Sequence, residues 1–211
     1  MPRIRSKSEV AGALQECPAE VVGRAADLSD LDAQLMLELR AGNAEAGNAL
    51  VRRNFDRVAR YVGRVVRDQR PVEDLAQEVF LQVFRAAGRY EPTAKFSTWL
   101  YRIATNIARN YLAQPYVRRR READPSQSGP VATAGADSAP ERQLSLDDLR
   151  RRVADALASL PVNQRIALTL CEYEGLSYEQ IAAVLDTTVD AVRGMIKRAR
   201  EALRPKLRGL V

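Results

Sequence analysis

The stretch that most limits what this chain can become is Glu122–Pro140 (EADPSQSGPVATAGADSAP), where 8 of 19 residues are Pro, Gly or Ser and no aromatic or long aliphatic side chain appears. A segment with so little to bury and so many breakers reads as a flexible linker. It leaves about 90 residues on one side and about 65 on the other, each enough for one small domain. The organisation expected is an N-terminal extension over 1–28, a body over 29–115, a linker over 116–142 and a second body over 143–208.

Both bodies read as helical. From Asp30 to Arg67 the apolar residues fall at helical spacing: Leu31, Leu35 and Leu39, then Leu50, Phe55, Val58, Tyr61, Val62 and Val65 after the Gly42-Asn43 break. That predicts two amphipathic helices. Pro71 opens a third, with Leu75, Val79, Phe80, Val83 and Phe84 on one stripe, and Gly88 and Pro92 close it. A fourth is expected from about Ala94 to Leu112, with Phe96, Trp99, Leu100, Ile103, Ile107 and Tyr111 facing inward. Beyond the linker, helices are expected near 142–158, 161–174, 177–185 and 188–204. Strand signals are negligible, so the class is all-α: two small helical domains, each with its own apolar periodicity.

Composition narrows the chemistry. The 211 residues hold no histidine, which excludes histidine general-base catalysis, Ser/His/Asp and Cys/His sites and His-ligated zinc. Cys17 and Cys171, 154 positions apart, form no CxxC pair, so neither a redox motif nor a thiolate metal site is indicated, and a reducing, cytoplasmic setting fits. No cofactor is expected. The basic start, Met1 to Lys7, leads into no continuous apolar run, and nowhere do 18 apolar residues follow one another. Neither a signal peptide nor a membrane span is expected. With 33 Lys and Arg against 27 Asp and Glu, the formal charge is +6, which points to a polyanionic partner.

The sharpest local pattern runs from Gly175 to Arg193. Gly175 suits a left-handed helix end, Ser177 with Gln180 makes a capping box, Thr187 with Asp190 repeats it, and only a tight turn fits between the two helices. This is a helix-turn-helix. On its second helix Val189, Val192, Ile196, Ala199 and Leu203 share a stripe, leaving Asp190, Gly194, Lys197 and Arg198 opposite, flanked by Arg193 and Arg200. Residues 186–211 carry seven Lys or Arg against three Asp or Glu, as a helix entering the DNA major groove requires.

Two further surfaces stand out. Glu73, Asp74, Gln77 and Glu78 lie opposite the apolar stripe of the third helix, with no cation between Val72 and Phe84. Such a face suits a basic surface on a partner protein or, as a weaker alternative, a divalent metal. On the fourth helix Thr98, Arg102, Thr105, Asn106 and Arg109 form a polar flank beside the aromatic stripe, and Arg118–Arg121 directly precede the Glu122–Pro140 stretch. Cations, amides and hydroxyls beside aromatic rings are what single-stranded DNA recognition uses.

Taken in order, Val72-Glu73-Asp74-Leu75-Ala76-Gln77-Glu78-Val79-Phe80-Leu81, Phe96-Ser97-Thr98-Trp99-Leu100-Tyr101-Arg102-Ile103-Ala104-Thr105-Asn106 and Leu160-Pro161 running into the helix-turn-helix resemble the extracytoplasmic-function sigma factors. These are two-domain promoter-specificity subunits of bacterial RNA polymerase, and the resemblance spans about residues 30–205 apart from the linker. It implies that Glu73, Asp74, Gln77 and Glu78 dock on the clamp helices of the polymerase β′ subunit. It implies that the loop before Phe96 and the helix after it open the −10 element, through Lys95, Thr98, Arg102, Asn106 and Arg109, with Asn106 at the family's asparagine position for a flipped base. The −35 contacts would be Thr188, Arg193, Gly194, Lys197, Arg198 and Arg200, in a domain resting on the β flap. Gly194 stands where such factors often carry a small hydroxyl residue, and Met195 where they often carry Arg.

The function implied is a non-enzymatic cytoplasmic specificity subunit that binds core polymerase, directs it to promoter DNA and is regulated by an anti-sigma factor. Two rivals make different demands. A stand-alone helix-turn-helix regulator would bind its promoter tightly without polymerase, and a metal-dependent nuclease would use Glu73, Asp74 and Glu78.

Overall fold

The computed structural model describes residues 30–68, 70–115, 117 and 146–207, and every described element is helical. Asp30 starts the first helix, its carboxylate accepting from the Asp32 amide at 3.1 Å. Helix α1 (Leu31–Arg40) leads through Gly42, at φ +96, into the Asn43 cap of α2 (Ala44–Val66). Helix α3 (Val72–Ala86) ends in a 3-10 turn (Ala87–Arg89), and α4 is Phe96–Ala113. The second half holds α5 (Leu146–Ala158), α6 (Val162–Glu172), α7 (Tyr178–Leu185) and α8 (Val189–Leu207). The extension, the Arg118–Arg121 run, the Glu122–Pro140 segment and the part of the expected helix before Leu146 lie outside the described residues.

The inward faces follow the periodicity with three exceptions. In α1 the enclosed residues are Ala33 and Met36, whereas Leu31 is 47% exposed. Ten residues give fewer than three turns, too few for a stripe of leucines to set the rotation of the helix. Phe84 was expected inward and is 41% exposed. Its ring edge approaches α2 where Gly47 has no side chain: a Cβ there would come within 2.5 Å of the ring. On α4 the aromatic stripe is supported by Tyr90, whose ring meets Trp99 edge-on at 5.0 Å and Phe96 at 6.2 Å.

The third exception joins the halves. Thr98, Tyr101, Thr105 and Ala108, spaced 3, 4 and 3 residues apart, form a second enclosed face on α4. Helix α4 packs on α2 and α3 within its own half and on α7 of the other, while α2 touches α6. Two separate cores were expected; the described residues instead share one continuous apolar core.

Candidate functional site

The acidic surface begins where α3 begins. Val72, Ala76, Val79, Phe80 and Val83 face inward, which turns Glu73, Asp74 and Gln77 to solvent. Acidic residues in a first turn also suit the positive end of the helix dipole. Glu78 is more engaged: it accepts from Gln82 at 2.8 Å and lies 3.6 Å from Arg85. The same surface continues into Leu81 and Phe84, two large apolar side chains left exposed. The sequence reading missed this apolar end, although 74, 77, 81 and 84 have the spacing of one helix face. Glu73, Asp74 and Glu78 do not gather into a ligand cluster; among the described residues no group of three His, Cys, Asp or Glu is placed to hold a metal ion.

The polar flank of α4 divides. Arg102 and Asn106 are exposed, and Lys95 is exposed in the loop just before the helix. The Phe96 amide donates to Asp30 at 3.1 Å and Arg40 donates to the Tyr90 carbonyl at 3.0 Å, so both ends of that loop are fixed to α1 and its cap. Thr98, expected to contact DNA, is 5% exposed and unavailable in this arrangement. Thr105 is enclosed too, sharing a hydrogen bond of 2.6 Å with Tyr61. Arg109 is half-buried and donates to Asn163 of the second half at 2.9 Å.

The helix-turn-helix is assembled largely as its sequence demands. The Ser177 and Gln180 box closes in both directions, at 2.8 and 3.3 Å, and Gly175 takes φ +68. The second cap shifts by one residue. Asp186 adopts the left-handed conformation at the end of α7, Thr187 becomes a turn residue, and the Thr188 hydroxyl accepts from the Ala191 amide at 3.2 Å. Asp190, freed from the expected box, pairs with Arg193 at 3.0 Å. Val192, Ile196, Ala199 and Leu203 are enclosed, which leaves Thr188, Arg193, Lys197 and Arg198 exposed on one surface. The Arg198 guanidinium lies over Gly194, where a Cβ would sit 3.3 Å from its Nη1. Arg200 belongs to the packing: it donates to Glu172 at 2.7 Å with both side chains mostly enclosed, so it is not part of that exposed set.

A constellation the sequence did not signal surrounds Glu174, in the loop between α6 and α7. Its side chain is 4% exposed. Arg57 Nε donates to its carboxylate at 3.0 Å, Arg57 Nη2 to its carbonyl at 3.3 Å, Arg64 lies at 3.6 Å, and the Tyr101 hydroxyl also donates to it. Burial, then this bond to Glu174, pushes the Tyr101 phenol well above its usual range.

Comparison with known proteins matches two family descriptions to this chain, Sigma-70 region 2 over residues 50–121 and Sigma-70, region 4 over residues 150–203. The RNA polymerase sigma-H factor of Pseudomonas aeruginosa is 37% identical over 188 residues, covering 85% of this chain and 95% of that protein. The ECF RNA polymerase sigma-E factor of Escherichia coli is 39% identical over 184 residues, covering 85% and 96%. The chain belongs to the extracytoplasmic-function sigma factors. The region 2 match, over helices a stand-alone helix-turn-helix regulator has no use for, disfavours that rival. Among solved structures, CnrH in complex with the cytosolic domain of CnrY is similar to this sigma factor with a TM-score of 0.62 at 27% identity, covering 84% of this chain and 97% of that one. The sigma factor RpoE of Bartonella quintana, solved with the anti-sigma factor NepR, shares the fold at a TM-score of 0.55 and 22% identity, covering 77% and 96%. No helix among the described residues of this sigma factor is long and apolar enough to cross a membrane.

Proposed function

We propose that this sigma factor works by binding alone, in the cytoplasm and without a cofactor, and divides its tasks among three surfaces. The face of α3 carrying Glu73, Asp74, Gln77 and Glu78 docks on the β′ clamp helices of core RNA polymerase, and its exposed Leu81 and Phe84 add apolar contact beside the acidic one. Lys95, Arg102, Asn106 and Arg109 engage −10 DNA, with Asn106 hydrogen-bonding a flipped base. Thr188, Arg193, Lys197 and Arg198, with Gly194 letting the helix approach closely, read the −35 duplex while the second half rests on the β flap. Thr98 is left out of the first DNA set because its side chain is buried, and Arg200 out of the second because Glu172 holds it.

The observation that carries this reading is the segregation of charge by surface. The start of α3 presents exposed acids free of cations, whereas α8 presents exposed Arg193, Lys197 and Arg198. A partner protein and a polyanion can then be held at once without competing for one patch. A regulatory partner of the anti-sigma kind is part of the proposal, supported by the likeness along both halves to CnrH, whose structure holds a second protein. The decisive experiment is Asp74→Arg together with Glu78→Arg. Pull-down of core polymerase is expected to fall at least 100-fold with helical circular dichroism unchanged, and undiminished association would refute the docking surface.

A further inference from the structure

We infer that Glu174 is an intramolecular latch, holding the two halves in a closed arrangement that cannot engage a whole promoter, so that opening at this residue precedes promoter binding. The inference deepens the proposed function and rests on it. Its geometry comes from three elements meeting one carboxylate: α2 supplies Arg57 and Arg64, α4 supplies Tyr101, and the α6 to α7 loop supplies Glu174. Arg64 also lies 4.2 Å over the ring of Tyr173 and Arg57 lies 5.3 Å over that of Tyr101, so both cations are held on the seam by faces as well as by charge. Arg109 with Asn163, and Arg67 with Asp155, tie the rim of the same seam.

Distance shows why this arrangement is closed. Elements centred near −35 and −10 lie about 25 base pairs apart, about 85 Å along B-DNA. A body of the described size, sharing one core, is about 40 Å across. Its two DNA surfaces therefore cannot occupy both elements together. The segment over 116–142 reaches up to about 90 Å when extended, enough to let the halves part to that span. The seam also enlists α4 itself: α7 packs on it, and Tyr101, which donates to Glu174, adjoins Arg102 on the same helix.

The chemistry of the seam suits a contact made to open. A carboxylate enclosed between guanidinium groups adds little net stability over an apolar seal, because lost hydration offsets the attraction. Once the halves part, water restores that hydration to every ion. The same enclosure makes loss of the cations severe, since Glu174 would stay buried and unpaired, whereas Arg57 and Arg64 keep partial access to water. An ionic seam of this kind fixes register when closed and separates readily when a partner surface competes for either side.

The test uses the full chain. Glu174→Lys places a cation between two arginines and is expected to raise the radius of gyration from small-angle X-ray scattering about 1.3-fold, with helical circular dichroism retained. Adding Arg57→Glu to that variant restores an opposite-charge pair and is expected to return the radius to the wild-type value, which a merely misfolded protein would not do. If Glu174→Lys does not fold, Arg57→Glu alone, on a side chain 41% exposed, sets two carboxylates together and is read the same way. An unchanged radius in a folded variant overturns the latch. Promoter-directed transcription with core polymerase is measured in parallel: if no protein in the series supports it, the sigma reading of the surfaces fails, while the scattering still decides the latch.

Discussion

Helices α4 and α8 carry the two proposed sets of DNA contacts, and the structure treats them differently. On α8 Arg193, Lys197 and Arg198 are exposed, Arg193 carrying a surface pair with Asp190, whereas Arg200 is mostly enclosed and held by Glu172, far from the N-terminal end proposed to enter a groove. On α4 two faces are enclosed, α7 packs alongside, and of the proposed contacts on this helix only Arg102 and Asn106 are fully exposed. The difference matches the substrates. A duplex element is read by a rigid helix whose side chains already point outward, whereas a melted element needs a surface completed only after the halves separate. On the proposed assignment, recognition of −35 is ready-made and recognition of −10 is conditional.

The contrast can be broken most severely at Asn106. In holoenzyme, Asn106→Ala is expected to lower open-complex formation about 100-fold, since extruding a base costs a few kcal/mol that pocket hydrogen bonds must offset. Permanganate reactivity of −10 thymines reports this, and reactivity equal to wild type would show that melting does not pass through Asn106. Arg198→Ala is expected to act on the other helix, weakening holoenzyme binding to a cognate −35 duplex about 10-fold, within the 1–3 kcal/mol of one bidentate base contact. Arg200→Ala should instead lower the melting temperature and leave base preference intact. If Arg200→Ala relaxes sequence preference and Arg198→Ala does not, the division of α8 into reading and packing cations is wrong.

How far the sequence revealed this arrangement depends on how local each feature is. Helix ends were legible wherever a cap acts within four residues, as at Ser177 and Gln180 or Gly175. The cap of α8 reads as Thr187, because no spacing rule announces that Asp186 will take the left-handed conformation and push the cap to Thr188. Surface assignments held where one face of a helix is buried, as for Glu73, Asp74 and Gln77. They failed on α4, where periodicity finds one stripe while a second face is enclosed by partners distant in sequence, Thr105 against Tyr61 of α2 and Tyr101 against Glu174 of the other half, so Thr98 and Thr105 read as solvent polar groups. Glu174 gave no signal at all: a glutamate in a loop reads as exposed, and its partners Arg57 and Tyr101 lie 117 and 73 positions away.

Smaller effects sharpen the same contrast. Gly194→Ser would set a side chain against the Arg198 guanidinium, and since that guanidinium can swing outward, the expected result is a few-fold change in −35 preference without loss of stability, read by anisotropy on variant duplexes. A change in melting temperature instead would make Gly194 a packing residue.

The smallest effect at neutral pH, and a direct probe of the seam, is the ionisation of the buried phenols. Burial raises Tyr61 and Tyr101 beyond the usual range and moves Tyr90 to about 12. A phenol whose folded value lies above its unfolded value of about 10 contributes fully below pH 10 and loses that contribution as pH climbs through the raised value. Titration by absorbance near 295 nm should therefore show a first group of tyrosines ionising near pH 10 and a second lagging until the protein opens. Glu174→Lys, which parts the halves, should move Tyr101 into the first group and leave Tyr90, remote from the seam against Trp99, in the second. If Tyr101 lags equally in both proteins, its enclosure comes from its own half, and α4 is less conditional than its contacts imply.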